Sequence, residues 1–313
     1  MNNFHHISVL LDEAIDALNI NPVGVYVDCT LGGAGHAAKI TQKLSKGGRF
    51  VGIDQDEDAI EAARERLTDT DAEINIVKDN FKNLRNILND LKIEKVDGIL
   101  FDLGVSSHQI DTAERGFSYI NDGALDMRMD KEQKLSAYDV VNKYGKEDLE
   151  RIFYEYGEER WSKRVAEFIC DFRKKAPIKT TGELVNIIDR AIPKEVRKNT
   201  EGHSAKRIFQ AVRIEVNDEL NILEQSFKTA AEFLSPGGRL AVITFHSLED
   251  RVCKNTFKEL ATDCLCPKDI PVCVCNHKKS VKIIGKPIRP SDREINENNR
   301  AKSAILRVAE KLR

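Results

Sequence analysis

Val25-Tyr26-Val27-Asp28-Cys29-Thr30-Leu31-Gly32-Gly33-Ala34-Gly35-His36 decides the fold. Val25 to Val27 reads as a short buried strand that ends on Asp28. Residues 29–36 are too rich in glycine for the interior of a strand or helix. From Ala37 the pattern turns helical through Leu44, and Lys46-Gly47-Gly48 stops it. Phe50-Val51-Gly52-Ile53 is a second strand and also ends on an acid, Asp54. Strand, glycine turn, helix and strand make one βαβ unit.

Glycines allow positive φ and a close approach by a ligand. The helix that follows aims its first N–H groups and positive dipole end at whatever sits there. Gly33, Gly35 and Ala38 satisfy the dinucleotide spacing, with Asp54 about where a ribose-binding acid belongs. Asp28, however, would face the phosphates of a dinucleotide. Two carboxylates at two strand ends suit a ligand with hydroxyls and a cationic group instead, and Asp54 can accept from both ribose hydroxyls. That combination points to S-adenosylmethionine. The competing reading is an ordinary turn with a solvated Asp.

A chain of 313 residues suits one large domain or two smaller ones. It contains no apolar run long enough to span a membrane. Met1-Asn2-Asn3-Phe4-His5-His6 lacks the basic region and apolar core of a signal peptide, so a cytoplasmic protein is expected. Its seven Cys then read as thiols or metal ligands rather than disulfides. Net charge is −2, yet residues 160–213 hold 14 Lys/Arg against 6 Asp/Glu. So one-signed an excess suits a phosphate-binding face as well as a solvated helical surface.

Further along, Asp12 to Leu18 is an amphipathic helix, Glu57 to Leu67 an acidic one, and Ile74 to Val77 a third strand, followed by Phe81. Phe81 suits stacking on an adenine ring, though an isolated Phe after a strand is more often core. Val96 to Phe101 is the fourth strand and ends on Asp102, so three of four strands end on Asp. At the carboxyl edge of a doubly wound sheet such charges are solvated and face a ligand; inside, they would be very costly. Alternation then stops. Residues 136–213 are helical in period, with helices at Glu147 to Tyr156, Trp161 to Arg173, Gly182 to Ile192 and from Ser204. Leu220 to Leu234 resumes an amphipathic helix, Arg239 to Phe245 a strand, and Ala304 to Val308 a final strand.

Cys264-Leu265-Cys266 and Cys273-Val274-Cys275, with His277 nearby, form the one metal-like cluster. Their Cys-x-Cys spacing is tighter than the usual zinc pattern, so structural zinc and free thiols both stay open and no metal ligand is assigned. No Ser-His-Asp order, Walker loop or His-Glu-x-x-His is found, and His246 at a strand end suits proton transfer or packing.

Several stretches carry a family resemblance. They are His6 to Leu11, Asp28 to His36, Asp97 to Ser107, Glu114-Arg115-Gly116-Phe117-Ser118, Leu125-Asp126-Met127-Arg128-Met129-Asp130, Phe209-Gln210-Ala211-Val212-Arg213 and Phe245 to Arg251. Through them the chain resembles the ribosomal RNA small-subunit methyltransferase H family over essentially its whole length. That resemblance implies an α/β, class I (Rossmann-like) methyltransferase sheet with an inserted helical domain. The expected division is 1–109 and 214–313 for the methyltransferase domain and 110–213 for substrate recognition. Also implied are S-adenosyl-L-methionine bound by Ala34, Gly35, His36, Asp54, Phe81, Asp102 and Gln109, and methylation of N4 of a cytidine in the decoding region of small-subunit (16S) ribosomal RNA. The expected partner is that RNA, within the assembled small subunit, rather than DNA or a membrane. Asp102-Leu103-Gly104-Val105 stands where amino-methyltransferases carry Asp/Asn-Pro-Pro-Tyr/Phe, so no catalytic residue is transferred. Two other readings are weighed: a ribosome assembly factor with a vestigial cofactor site, and an NAD-dependent dehydrogenase, which Asp28 disfavours.

Overall fold

A computed structural model describes residues 8–198, 203–267 and 272–312. The N-terminal residues 1–7, including His6 and Ile7 of the first motif, lie outside the described residues. In chain order the elements are α1 (Leu11–Leu18), β1 (Val25–Asp28), α2 (Gly35–Lys43), β2 (Arg49–Asp54), α3 (Glu57–Arg66), β3 (Glu73–Lys78), α4 (Leu84–Asp90) and β4 (Val96–Asp102). Seven helices follow: α5 (Ser107–Asp111), α6 (Ala137–Lys143), α7 (Lys146–Glu155), α8 (Ser162–Arg173), α9 (Thr181–Ala191), α10 (Lys194–Lys198) and α11 (Ala205–Asn217). Then come α12 (Leu223–Phe233), β5 (Leu234–Thr244), α13 (Ser247–Leu260), β6 (Val281–Ile288), α14 (Asp292–Glu297) and β7 (Ile305–Lys311). Two compact units result, residues 1–104 with 220–313, and residues 105–219.

The first unit is built on a seven-stranded sheet of order β3-β2-β1-β4-β5-β7-β6. The first five strands are parallel, and β7 runs antiparallel to both of its neighbours, β5 and β6. This is a doubly wound α/β sheet with one reversed strand, β7. Parallel strands put all their carboxyl ends on one edge, and the order reverses beside β1 and β4, which is where such sheets take ligands. The central strands read as continuous apolar runs because both faces are covered. Successive side chains go to opposite faces. Val27, Val51, Ile99, Phe101 and Val242 pack with Leu84, Phe227 and Phe257 of α4, α12 and α13. Tyr26, Phe50, Leu100, Ala241 and Ile243 pack with Ile15, Ile40 and Ile60 of α1, α2 and α3.

β6 has no counterpart among the strands expected from sequence. Gly285, at φ 64°, and Pro287 interrupt its apolar run, and its pairing with β7 shifts register between Ile284 and Ile288. An edge strand tolerates both residues, because one side of its backbone has no ladder to keep.

The second unit is helical, as its period implies. Leu149, Ile152, Phe153, Val165, Ile169, Leu184, Ile188, Ile208 and Val212 form its core. Residues 113–130 are a tightly packed connector within this unit. The guanidinium of Arg115 donates to the carbonyls of Arg128 and Met129, at 3.0 and 3.1 Å. Asn217 accepts from the Met129 N–H at 2.8 Å and donates to the Met127 carbonyl at 2.8 Å. Gly116 sits at φ 71°, and a Cβ on it would lie 2.1 Å from the Ala124 oxygen, so no larger residue fits. The two motifs that flank this connector therefore hold one another.

Candidate active site

Four carboxylates gather at the carboxyl edge of the first unit's sheet. Asp28 ends β1, Asp54 ends β2, Asp102 ends β4, and Glu249 lies in the first turn of α13 after β5. The side chain of Asp28 is only 1% exposed. This corrects the expectation that the strand-end charges are solvated. Its Oδ1 accepts from the Thr30 N–H at 3.0 Å and from the Thr30 hydroxyl at 3.4 Å. Thr30 Oγ1 in turn accepts from the Asp102 N–H at 2.6 Å, which ties the ends of β1 and β4 together. Burial raises the Asp28 carboxyl to about 7, opposed by the Thr30 N–H and reinforced by the charge on Asp54.

Asp54 uses both oxygens on the turn it faces. Oδ2 accepts from the Gly32 N–H at 2.8 Å and Oδ1 from the Asp56 N–H at 2.9 Å. Burial raises its carboxyl to about 6 against those two N–H groups. Each oxygen keeps a second lone pair, so hydroxyl recognition at the β2 end stays available.

Asp102 is perturbed in the same direction. Burial, then the charges on Asp28 and Glu249, hold its carboxyl well above the usual range. Its Oδ2 lies 3.5 Å from His36 Nδ1, and the pair is 18% and 4% exposed. Its Oδ1 is buried and, among the described residues, has no hydrogen-bond partner. A buried acceptor without a donor is costly unless something else supplies one. The edge is therefore rich in acceptors and short of partners for them, and a cationic ligand carrying N–H and O–H groups would favour the ionised form of its raised carboxyls.

The glycine turn works differently from its sequence reading. The left-handed residues of the turn are Gly32, at φ 47°, and Ala34, at φ 55°. Ala34 precedes α2 and holds a conformation that costs a non-glycine residue about 1 kcal/mol or more. Gly35 is needed because a Cβ there would meet Ser8 Oγ at 1.8 Å. The close approach belongs to the N-terminal segment of the chain itself. His36 points inward, with Nε2 3.1 Å from the Val9 carbonyl. What the turn offers outward is backbone: the leading N–H groups of α2 have no carbonyl one turn back. Replacing Gly35 by Ala is expected to cost about 1–3 kcal/mol of stability in urea titrations. A Ser8→Gly change should restore part of it, and a Gly35→Ala protein as stable as the parent would remove Ser8 from the account.

Phe81 follows β3 and is half-buried, with its ring edge-on to Phe101 at 5.4 Å between centroids. Gln109 belongs to the second unit. There its carboxamide oxygen accepts from the Ser106 N–H at 3.0 Å while Ser106 Oγ accepts from the Gln109 N–H at 3.2 Å, a capping box on α5. Glu249 was missed by sequence reasoning. It accepts from the Phe245 and His246 N–H groups at 2.7 and 3.2 Å, and its Oε1 is 3.0 Å from His246 Nε2. The signal was present: His246-x-x-Glu249 after a strand has the spacing of a capping box, with His in place of Ser or Thr. Asp250, next to it, pairs with Arg307 of β7 through two bonds of 2.7 and 2.9 Å. The Phe245–Arg251 motif thus starts α13 and fastens it to the sheet.

The model of the MraW methylase family matches residues 3–312. The ribosomal RNA small subunit methyltransferase H of Finegoldia magna is 55% identical over 310 residues, covering 99% of each chain. The protein of the same name from Clostridium botulinum is 56% identical over 310 residues, again covering 99% of each. Among solved structures, an rRNA methylase from Streptococcus thermophilus aligns over 96% of this chain and 93% of its own, at 12% identity and a TM-score of 0.43.

Proposed function

Because the chain belongs to the MraW methylase family, we propose that it is an S-adenosylmethionine-dependent enzyme that methylates N4 of a cytidine in the decoding region of small-subunit ribosomal RNA. The relatives' shared name supports the substrate class, and the unpartnered buried Oδ1 of Asp102 carries the chemistry. Bound there, S-adenosylmethionine supplies an electrophilic methyl group on a sulfonium. Asp54 accepts from the ribose hydroxyls, and the turn from Ala34 to His36, whose Ala34 N–H is already held by the Leu31 carbonyl at 2.8 Å, lies against the amino-acid end. Phe81 offers half of its ring to the base of the cofactor.

Asp102 acts on the target amine. The lone pair of N4 is delocalised into the cytosine ring and is a poor nucleophile. A carboxylate oxygen that accepts an N4 hydrogen localises that lone pair on nitrogen and takes the proton as the methyl group is transferred. His36, with Nε2 on the Val9 carbonyl, brings Nδ1 to 3.5 Å from the other carboxylate oxygen and confines that side of the carboxyl. The rest is positioning. The target base reaches the pocket unstacked or already single-stranded. We place the enzyme in the cytoplasm, acting on the assembled small subunit; among the described residues no helix is long and apolar enough to cross a membrane.

The test is methyl transfer from labelled cofactor to small subunits lacking the modification, to the same RNA stripped of protein, and to DNA, followed by digestion to nucleosides. N4-methylcytidine from assembled subunits alone is the expected product. Label in another nucleoside would overturn the N4 assignment, and bound cofactor with no transfer to any of the three would favour an assembly factor.

The perturbed carboxylates give a second expected result. Asp28 and Asp54, raised to about 7 and 6, are partly protonated near pH 6 and ionised at pH 8. A cationic ligand prefers the ionised forms, so its affinity should rise between pH 5.5 and 8 and binding should release protons at pH 6.5. Stability without ligand runs the other way. A carboxyl whose folded pKa is raised favours the fold fully below its unfolded value, and that contribution is lost as pH rises through 6 to 7. Calorimetry in buffers of different ionisation enthalpy reads the proton release directly; none at pH 6.5 would mean these groups do not face the cation.

A further inference from the structure

Outside the carboxylate edge, the loop that joins α13 to β6 brings four thiols to one point. Cys264 Sγ lies 3.4 Å from Cys273 Sγ and 3.8 Å from Cys275 Sγ. Cys273 Sγ lies 3.5 Å from Cys275 Sγ and 4.0 Å from Cys266 Sγ. All four sulfurs lie within 4.8 Å of one another. A disulfide would need about 2.05 Å, so these are not bonded pairs. A zinc ion with Zn–S bonds of about 2.3 Å in a tetrahedron sets its sulfurs about 3.8 Å apart, and the observed separations scatter around that edge length.

We propose that Cys264, Cys266, Cys273 and Cys275 hold one zinc ion as a closed tetrathiolate centre that staples the α13–β6 loop. The backbone is arranged for it. The middle residue of each Cys-x-Cys pair donates to a sulfur of the other pair: the Leu265 N–H to Cys275 Sγ and the Val274 N–H to Cys266 Sγ, both at 3.4 Å. Such N–H bonds stabilise thiolates and orient ligands around a metal. Burial cannot explain the convergence. Leu265, Val272 and Val274 are 46%, 71% and 71% exposed, so no apolar core gathers the thiols. Unbonded cysteines are ordinarily among the most buried residues. His277 is already engaged, with Nε2 3.0 Å from the Glu259 carbonyl, so the four sulfurs complete the set. Thiolates select zinc or iron over magnesium or calcium, and four ligands with no open position describe a structural rather than a catalytic site. The tight Cys-x-Cys spacing is met by crossing the two pairs, so each contributes both sulfurs without the longer reach of a Cys-x2–4-Cys turn.

The first measurement is metal content of the full, untagged chain purified under reductant without added metal. One zinc per chain is expected, together with its release by an organomercurial. Reconstitution with cobalt(II) should give the red-edge d–d bands and near-ultraviolet charge transfer of a tetrathiolate site. A Cys264→Ser/Cys275→Ser protein should lose the zinc and melt at lower temperature while keeping the parent's affinity for S-adenosylmethionine. Wild-type protein with less than a tenth of an equivalent of zinc, protein carrying iron instead, or a double variant that keeps its zinc would each overturn the proposal.

Discussion

Replacing Asp102 by Asn should lower the methyl-transfer rate by about 10²–10³-fold, the usual cost of removing one preorganised charge-stabilising group. Asn keeps the size of Asp and can still accept at Oδ1, but it can neither carry negative charge nor take a proton from N4. The backbone N–H of residue 102, which donates to Thr30, is untouched by the change. Stability should move the opposite way. Burial beside Asp28 and Glu249 raises this carboxyl, so ionising it works against the fold. The Asn variant should therefore unfold at higher temperature than the parent at pH 8, and the difference should shrink as pH falls and the parent's Asp102 becomes protonated. Single-turnover rates on small subunits and melting curves at pH 5.5 and 8 read the two effects separately. A variant that turns over within three-fold of the parent would remove Asp102 from the proton's path. One less stable than the parent at pH 8 would mean that the carboxylate is structural.

Opposite signs for activity and stability would follow from how the edge is built. A sheet edge with four carboxylates and an orphaned acceptor is a poor solution for folding alone. Thr30 and the N–H groups of Gly32 and Asp56 each satisfy part of that charge without neutralising it. What remains is an anionic recess that a cation relieves, and the same relief should appear as thermal stabilisation by ligand, larger at pH 8 than at pH 5.5.

The sheet was legible because its strands are apolar on both faces and end on charge. Val25–Asp28, Phe50–Asp54 and Val96–Asp102 announce their own limits, and the parallel order follows from the helices between them. β6 escaped because Gly285 and Pro287 break the run that periodicity detects, and only its place at the sheet edge makes them tolerable. At the site, the three Asp could be read from position, since a strand-end acid projects at the ligand edge. Their burial could not, because it depends on elements distant in sequence. Ser8 occupies the space beside Gly35, Val9 receives His36, and Glu249 arrives from beyond the helical insertion. The cysteines show the same limit. Spacing alone left both zinc and free thiols open, and only folding shows that the two pairs cross.

Reversing the charge of Lys175, Lys194, Lys198 and Lys206 should weaken RNA binding by about 100-fold at low salt, a little under 1 kcal/mol per side chain. The structure changes which cations belong in that test. Within the basic stretch 160–213, Lys174 pairs with Asp171 at 2.8 Å and Arg197 with Asp189 at 3.2 Å. Arg213 is held by two bonds of 2.8 Å to Glu219, and Arg173 donates to the carbonyls of Val141 and Tyr144. Much of the local excess of charge thus braces helices rather than facing solvent. Lys175, Lys194, Lys198 and Lys206 are exposed and, among the described residues, make no ion pair. Each phosphate that is no longer neutralised should lower the slope of log affinity against log salt by about 0.7–0.9, so four should lower it by about 3. Affinity for S-adenosylmethionine should not change, because the carboxylate edge belongs to the other unit. Loss of RNA affinity with an unchanged salt slope would mean that the substitutions act through folding of the helical unit, and a quadruple variant that binds RNA as the parent does would place the phosphate-binding face elsewhere.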